Sequence, residues 1–300
     1  MNELRTLAAD IGGTRTKIAI CNQLGELDSY QEFDTESYKG GPYIVEKLIE
    51  RLSAYSEQSY DNIGISTAGQ VDPLKGEVIF ANENIPDYTG MKLKEKIGQF
   101  ISKDIKIEND VNCAALGEKH FGVGKHYKDF LCLTYGTGIG GAIIINGKLY
   151  RGAFGSGAEI GHMINRPYNT TGDKNDVPYY EKLASTTALL KEAQKIDPSC
   201  TTGKHFFSKL QSGNEQYNVI LHNWLDEVII GLASLIHIFN PEAIILGGGV
   251  MEQRQLIDII KKKINQLIMP SFTNVKIVSA SLGNKAGLMG AASLFIEDTK

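Results

Sequence analysis

Glycines spaced for oxygen-rich ligands are the first chemistry this chain offers. In LCLTYGTGIGGAIIINGKLY, residues 131–150, Gly136, Gly138 and Gly141 have the G-x-G-x-x-G spacing of a dinucleotide-binding turn. Such a turn must open a helix, because the helix N-terminus receives the pyrophosphate. Here it leads into the apolar run 142–145, then Asn146-Gly147, then residues 148–150, which is the pattern of a β-hairpin. The nicotinamide reading therefore fails, and a Gly-rich turn between two strands is expected. A second such turn stands in DIGGTRTK, where Asp10 precedes Gly12, Gly13 and Thr14. Turns of this kind expose backbone N–H groups and admit oxygen atoms where a Cβ would obstruct them. Taken together, the two predict a polyphosphate clamp, with Thr137 and Gly138 opposite Gly12, Gly13 and Thr14. A third element, Gly247-Gly248-Gly249 between AIIL and VMEQRQLIDII, is suited to approach a base or ribose. The P-loop pattern G-x-x-x-x-G-K-[ST] is absent.

The elements that must hold these turns repeat. LRTLAADIGGTRTKIAICNQLGEL and DFLCLTYGTGIGGAIIINGKLYRG share one grammar: apolar strand, Gly/Thr-rich turn, apolar strand, polar Gly turn, short strand. Two such units predict two similar α/β domains. Further strands are expected at NIGISTAG, IKIEND, AIILGGG and VKIVSAS, between helical patterns such as 43–55 and 255–268. The alternation argues for mixed sheets covered by helices. The domain boundary is expected near residues 115–125, giving domains of 1–118 and 119–285, the first joined by a C-terminal helix 286–300.

Composition narrows the function. Three hundred residues, 42% apolar and 22% charged, fit an ordinary globular protein of two domains. A net charge of −4 gives no footprint for nucleic acid or an anionic membrane. No membrane-spanning run and no signal-peptide pattern stand out, so a cytoplasmic location is expected. Cys21, Cys113, Cys132 and Cys200 are scattered and form no C-x-x-C pair, which suggests buried hydrophobes.

With these motifs in order, the chain resembles the ROK group (repressors, open reading frames, sugar kinases) of the actin-like ATPase superfamily. The matching stretches are DIGGTRTKIAI, GISTAGQVD, ANENIPDYTGMKL, IENDVNCAALGE, GTGIGGAIIINGKLYRGAFGSGAEIGHM and NPEAIILGGGV. The resemblance implies an α/β fold of two RNase H-like domains with an active-site cleft between them. It also implies ATP with Mg2+, phosphoryl transfer to a sugar hydroxyl, and commonly a homodimer. Asp110 aligns with the family's catalytic base and Asn109 with a sugar-binding residue. A carboxylate can orient a sugar hydroxyl and accept its proton during attack on the γ-phosphate. Asp110 also stands where a helix N-cap belongs, ahead of VNCAALGEKHF, and one residue can serve both roles. Glu159 and His162 in GAEIGH, with Glu181 in YYEKLAS, resemble the family's hydroxyl-binding set, which Asn84 and Gly69 join. Ala68 stands where relatives usually carry proline. On the nucleotide side the resemblance implies that Asp10 holds Mg2+, directly or through water. Gly12, Gly13, Thr14, Thr137 and Gly138 would bind phosphates, with Gly248 and Gly249 completing the ATP site. Arg15 and Lys17 are candidates for neutralising phosphate charge.

One departure is informative. Zinc-bearing relatives place Cys-x-Cys-Gly-x-x-Gly-Cys-x-Glu after the histidine. With His162 and Glu181 fixed, the cysteine positions fall on Gly172, Lys174 and Tyr179, none of which supplies a thiolate. No structural zinc is expected. Repressors of the group carry an N-terminal helix-turn-helix; with the first strand expected within the first few residues, a repressor is not expected. The expected activity is an ATP-dependent sugar kinase acting on a 6-hydroxyl. A β-glucoside such as cellobiose is placed first, with N-acetylmannosamine or glucose as alternatives and a non-catalytic sugar-binding protein as the reading from another class.

Overall fold

A computed structural model describes residues 4–296. The chain divides into two compact units. The first holds the described residues up to His126, Leu149–Gly157, and the described residues from Asn284 on; the second holds Tyr127–Lys148 and Ala158–Gly283.

In the first unit, β1 (Arg5–Ile11), β2 (Arg15–Asn22) and β3 (Leu27–Asp34) form an antiparallel meander. Then α1 (Gly41–Ser53) crosses to β4 (Asn62–Thr67). A small ribbon, β5 (Gln70–Asp72) and β6 (Glu77–Phe80), and α2 (Leu93–Gly98) lead to β7 (Asp104–Asn109) and α3 (Asp110–Phe121). The sheet order is β3-β2-β1-β4-β7, with β1, β4 and β7 mutually parallel. Alternating helices and parallel strands bury both faces of the central strands: every residue of β4, and every residue of β1 after Arg5, is buried, polar ones included. α1 turns Ile44, Val45, Leu48 and Leu52 inward at helical spacing, into the core cluster that also holds Leu7, Ile18 and Ile63.

The second unit begins with β8 (Phe130–Tyr135) and β9 (Ile139–Ile145); the short β10 (Lys148–Leu149) starts at the unit's last residue before the chain passes to the first unit. Helices α4 (Tyr180–Ala184), α5 (Thr186–Gln194), α6 (Gly203–Gln211) and α7 (Glu215–Phe239) follow. The sheet is completed by β11 (Ala243–Gly247), α8 (Arg254–Ile264) and β12 (Lys276–Ser279), in the order β10-β9-β8-β11-β12. β8 pairs antiparallel with β9 and parallel with β11, which is parallel to β12. This sheet thus repeats the first: a hairpin strand, then parallel strands reached by helical crossovers, as the sequence echo predicts. Asn146 and Gly147 take φ of 52° and 71° at the β9–β10 turn, where left-handed backbone suits Asn-Gly. Helix α7 is long and apolar enough to cross a membrane by length and composition, which corrects the expectation that no segment is. Its apolarity has another use here: Trp224, Leu225, Val228, Leu232 and Leu235 are core side chains of this unit.

The last helix, α9 (Ala286–Ser293), belongs to the first unit and is buried throughout. Small residues let its backbone approach its neighbours closely. A Cβ on Gly290 would lie 1.6 Å from Cys113 O, one on Gly64 2.0 Å from Ala291 O, and one on Gly117 2.4 Å from Ala286 O.

Candidate active site

In the first unit, strand register assembles the chemistry. Asp10, Ser66 and Glu108 are successive neighbours across β1, β4 and β7, and so are Ile11, Thr67 and Asn109. The carboxyl ends of three parallel strands therefore deliver the first glycine turn, the loop with Gly69, and the Asn109-Asp110 pair to one edge of the sheet, where ligands of open α/β sheets bind.

Asp10 is buried at the end of β1. Its Oδ1 accepts from Ser66 Oγ at 2.7 Å and its Oδ2 from Lys17 Nζ at 3.1 Å, and the same ammonium donates to Asn284 Oδ1 at 3.0 Å. Lys17 is thus a buried partner of Asp10. Arg15 turns instead toward β3, where it pairs with Asp34 at 2.5 Å and Glu32 at 3.1 Å. Gly287 comes so close that a Cβ there would lie 2.6 Å from Asp10 Oδ1. The Gly12 N–H donates to Arg15 O at 3.1 Å and closes the turn, while Gly13 and Thr14 are exposed and Gly13 has open space where a Cβ would point. Among the described residues no three His, Cys, Asp or Glu side chains gather as a metal site. Mg2+ asks for less: one or two carboxylates, water and phosphate oxygens. Asp10 fits that pattern.

Asp110 occupies the first turn of α3, and the N-cap is Asn109. The Asn109 Oδ1 accepts the N–H groups of Val111 and Asn112 at 2.9 and 3.1 Å. This corrects the expectation that Asp110 caps the helix: the extended Asn109 (φ −60°, ψ 148°) places its own side chain over the helix end. The Asn109 amide nitrogen donates to Gly69 O and to Asp110 Oδ1, both at 2.9 Å. Gly69 has φ 95°, and a Cβ there would lie 2.7 Å from Phe80 O, so glycine is required. Val111 N–H also donates to Asp110 Oδ1, at 3.0 Å. With Oδ1 held by both, Oδ2 is the better placed oxygen to accept a proton. Burial, and secondarily the negative charge of Asp10, push the Asp110 carboxyl up from 3.8 to about 6. Asn84 lies on the exposed loop after β6, and among the described residues no hydrogen bond joins its side chain to Asn109 or Asp110.

In the second unit, Gly136–Gly138 is the predicted hairpin turn, closed by Gly136 N–H donating to Gly138 O at 2.9 Å. The Thr186 N–H, at the start of α5, donates to Gly136 O at 3.0 Å, and Thr137 faces solvent. Gly248 joins this turn: at φ 94° it packs where a Cβ would lie 2.2 Å from Tyr135 O, and Gly249 beside it is open. Two of the three glycine elements thus meet at the carboxyl ends of adjacent parallel strands, β8 and β11. The Glu181 carboxylate reaches the same turn. Its Oε2 accepts from Ile139 N–H at 3.3 Å and fills the space a Cβ on Gly138 or Gly161 would need. His162 Nδ1 lies 4.0 Å from Glu159 Oε2, with both side chains half exposed.

The sequence reading missed four contributors. Ser66 and Gly287 touch Asp10, Glu108 and Arg151 brace the Asp110 strand, and only Glu108 carried a signal, an acid within the apolar strand IKIEND.

The sequence profile of the ROK family matches residues 6–298. The chain is 30% identical over 314 residues to a glucokinase of Thermotoga maritima, covering 99% of each. It is 30% identical over 303 residues to a beta-glucoside kinase of Listeria innocua, covering 98% of each. A ROK family glucokinase from Streptomyces griseus, solved with glucose and AMPPNP, superposes with a TM-score of 0.82 at 32% identity, covering 97% of this chain and 98% of that one. With its two hairpin-plus-parallel sheets and its glycine turns at their carboxyl edges, the chain belongs to the ROK family.

Proposed function

We propose that this protein transfers the γ-phosphate of ATP to the 6-hydroxyl of a glucosyl unit, with a β-glucoside such as cellobiose as acceptor. The observation that carries the reading is Asp110: a carboxylate at a strand's carboxyl end, held through Oδ1 by Asn109 and Val111, with its pKa raised to about 6. At neutral pH it is ionised yet more basic than an ordinary aspartate, as a base for a sugar hydroxyl should be. Asp110 takes the hydroxyl proton as that oxygen attacks the γ-phosphorus and the bond to the β-phosphate oxygen breaks, leaving ADP and the sugar phosphate. Glu159, His162 and Glu181 bind acceptor hydroxyls, and a pocket built on such bonds disfavours ligands lacking them. Asn109 and Gly69 act on the acceptor through Asp110, because the Asn109 amide is already bonded to Gly69 O and Asp110 Oδ1.

With the Gly12 and Gly136 N–H groups closing their own turns, Gly13, Thr14, Thr137 and Gly138 offer N–H groups to phosphate oxygens, and Gly248 and Gly249 leave room for the nucleoside. Mg2+, held by Asp10 through water, neutralises phosphate charge when bound. Glucose is the second reading, favoured by the equal identity to a glucokinase.

A coupled ADP-release assay with Mg-ATP tests this against cellobiose, gentiobiose, glucose, N-acetylmannosamine, N-acetylglucosamine and fructose, with product mass confirmed. Disaccharides well ahead of monosaccharides are expected. Preference for N-acetylmannosamine overturns the acceptor, and silence across the panel overturns the activity in favour of a sugar-binding protein.

A further inference from the structure

Residues 163–179 form an excursion between the His162 turn and α4, which carries Glu181 in its first turn. The excursion closes on itself. Ile164 and Tyr179 form an antiparallel bridge, and Tyr180 N–H donates to Met163 O at 2.7 Å. Further out, Tyr168 Oη donates to Asp173 O, Asn175 N–H to Asp173 Oδ1 at 2.8 Å, and Lys182 Nζ to Asn175 O at 2.6 Å.

Tyr179 is where these threads converge. Its backbone makes the bridge, and it stands immediately before α4 at the N-cap position. Its ring lies against the His162 imidazole, with centroids 4.9 Å apart and planes tilted by 58°, while the Lys182 ammonium sits 5.2 Å from the same ring. Such tilted aromatic contacts have a preferred geometry, so the ring limits the rotamers open to an imidazole that is otherwise half exposed. Among the described residues the Tyr179 hydroxyl makes no hydrogen bond, so the contact is one of ring surface.

We propose that Tyr179 is a positioning residue for acceptor binding: its ring holds the His162 imidazole toward the sugar hydroxyl. The acceptor part rests on the reading of His162 as a hydroxyl-binding group. The step is one of orientation only, and no bond is made or broken at Tyr179.

Full-length Tyr179→Ala and Tyr179→Phe test it by two independent readouts. Histidine ring-proton NMR, with the His162 signals assigned through His162→Gln, reads the contact directly. Tyr179→Ala is expected to move those signals toward free-imidazole positions, and Tyr179→Phe to keep them upfield. In the kinase assay, Tyr179→Ala is expected to raise the acceptor KM about tenfold with kcat changed less than about threefold, the split expected of lost ground-state binding. Unmoved His162 signals in Tyr179→Ala, or a Tyr179→Phe as damaging as Tyr179→Ala, would overturn the proposal. A wild-type protein that phosphorylates no sugar sinks the kinase reading alone, and the NMR result then decides the Tyr179 claim by itself.

Discussion

Arg151 Nε donates to Glu108 Oε2 at 2.7 Å, and the carboxylate it reaches is almost fully buried. The other oxygen of Glu108 accepts the Asn109 N–H at 2.9 Å and Asn112 Nδ2 at 3.0 Å. Glu108 therefore ties the segment Leu149–Gly157 to the strand end that presents Asp110. A buried carboxylate is tolerable only when its lone pairs are answered, and here donors from three residues answer them.

Arg151→Ala leaves that carboxylate buried with two neutral donors. Breaking a buried pair from one side is costly, and the partial exposure of Arg151 puts the loss near the low end, about 3 kcal/mol. Urea unfolding should show this as a lower midpoint with an unchanged slope, and kcat should fall as Asp110 loses its brace. An unaltered midpoint would mean that the backbone and Asn112 donors suffice.

Asp110→Asn is expected to lower kcat by about a thousandfold, within the range for loss of a general base, while acceptor binding measured by calorimetry is mostly retained. The helix should not suffer, because the cap on α3 is Asn109. Near-wild-type turnover would remove Asp110 from the chemistry.

The Asp and Asn of IENDVN show what a sequence discloses and what it withholds. The break between strand and helix is local, written in IKIEND followed by a helical apolar pattern, and the repeated hairpin with its Asn-Gly turn is equally local. Which of two adjacent polar residues caps the helix depends on the backbone angle at Asn109, and either residue type caps well. Longer-range relations left no trace: Lys17 meets Asn284 across most of the chain, and Arg151 finds Glu108 from a glycine-rich stretch without periodicity. Gly287 and Gly290 gave no signal either, because their reason is a neighbour's backbone.

The raised carboxyl of Asp110 fixes the sign of two pH effects. In the proposed role of base Asp110 must be ionised, so kcat/KM should fall tenfold per pH unit below about 6, with the acid limb set by a group whose ordinary value is 3.8. For stability the sign reverses. A carboxyl held above its unfolded value binds its proton more tightly in the folded state, so its contribution is fullest below 3.8 and is lost as pH rises through about 6. Asp110→Asn should therefore melt at or above the wild-type temperature at about pH 8, with the advantage fading between about pH 6 and 4. An acid limb near 4 would show that the carboxylate is solvated.

Gly290→Ala is expected to cost about 3 kcal/mol or more, at the upper end for overpacking, because the added methyl meets the Cys113 carbonyl, which cannot rotate away as a side chain could. Gly98→Ala serves as the control: no atom lies within 4 Å of the added Cβ, and its φ is not left-handed. Urea midpoints should separate the two variants clearly. Equal stability would mean that α9 shifts to accept the methyl.

Chelation tests how the segment after His162 keeps its shape. A tetrahedral zinc site needs four ligands, and Gly172, Lys174 and Tyr179 stand where thiolates would be required. Glu181 already accepts the Ile139 N–H, and the Ile164–Tyr179 bridge closes the segment through the backbone. Because a structural metal contributes its binding energy to folding, removing one lowers the melting temperature. Protein purified without chelator should hold well under one zinc per chain, and EDTA should leave its melt unchanged when ATP and Mg2+ are omitted, so that loss of Mg-ATP is not mistaken for loss of zinc. One tightly held zinc atom per chain, with a melt that falls on chelation, would require ligands other than the three positions named and would return the metal to this segment.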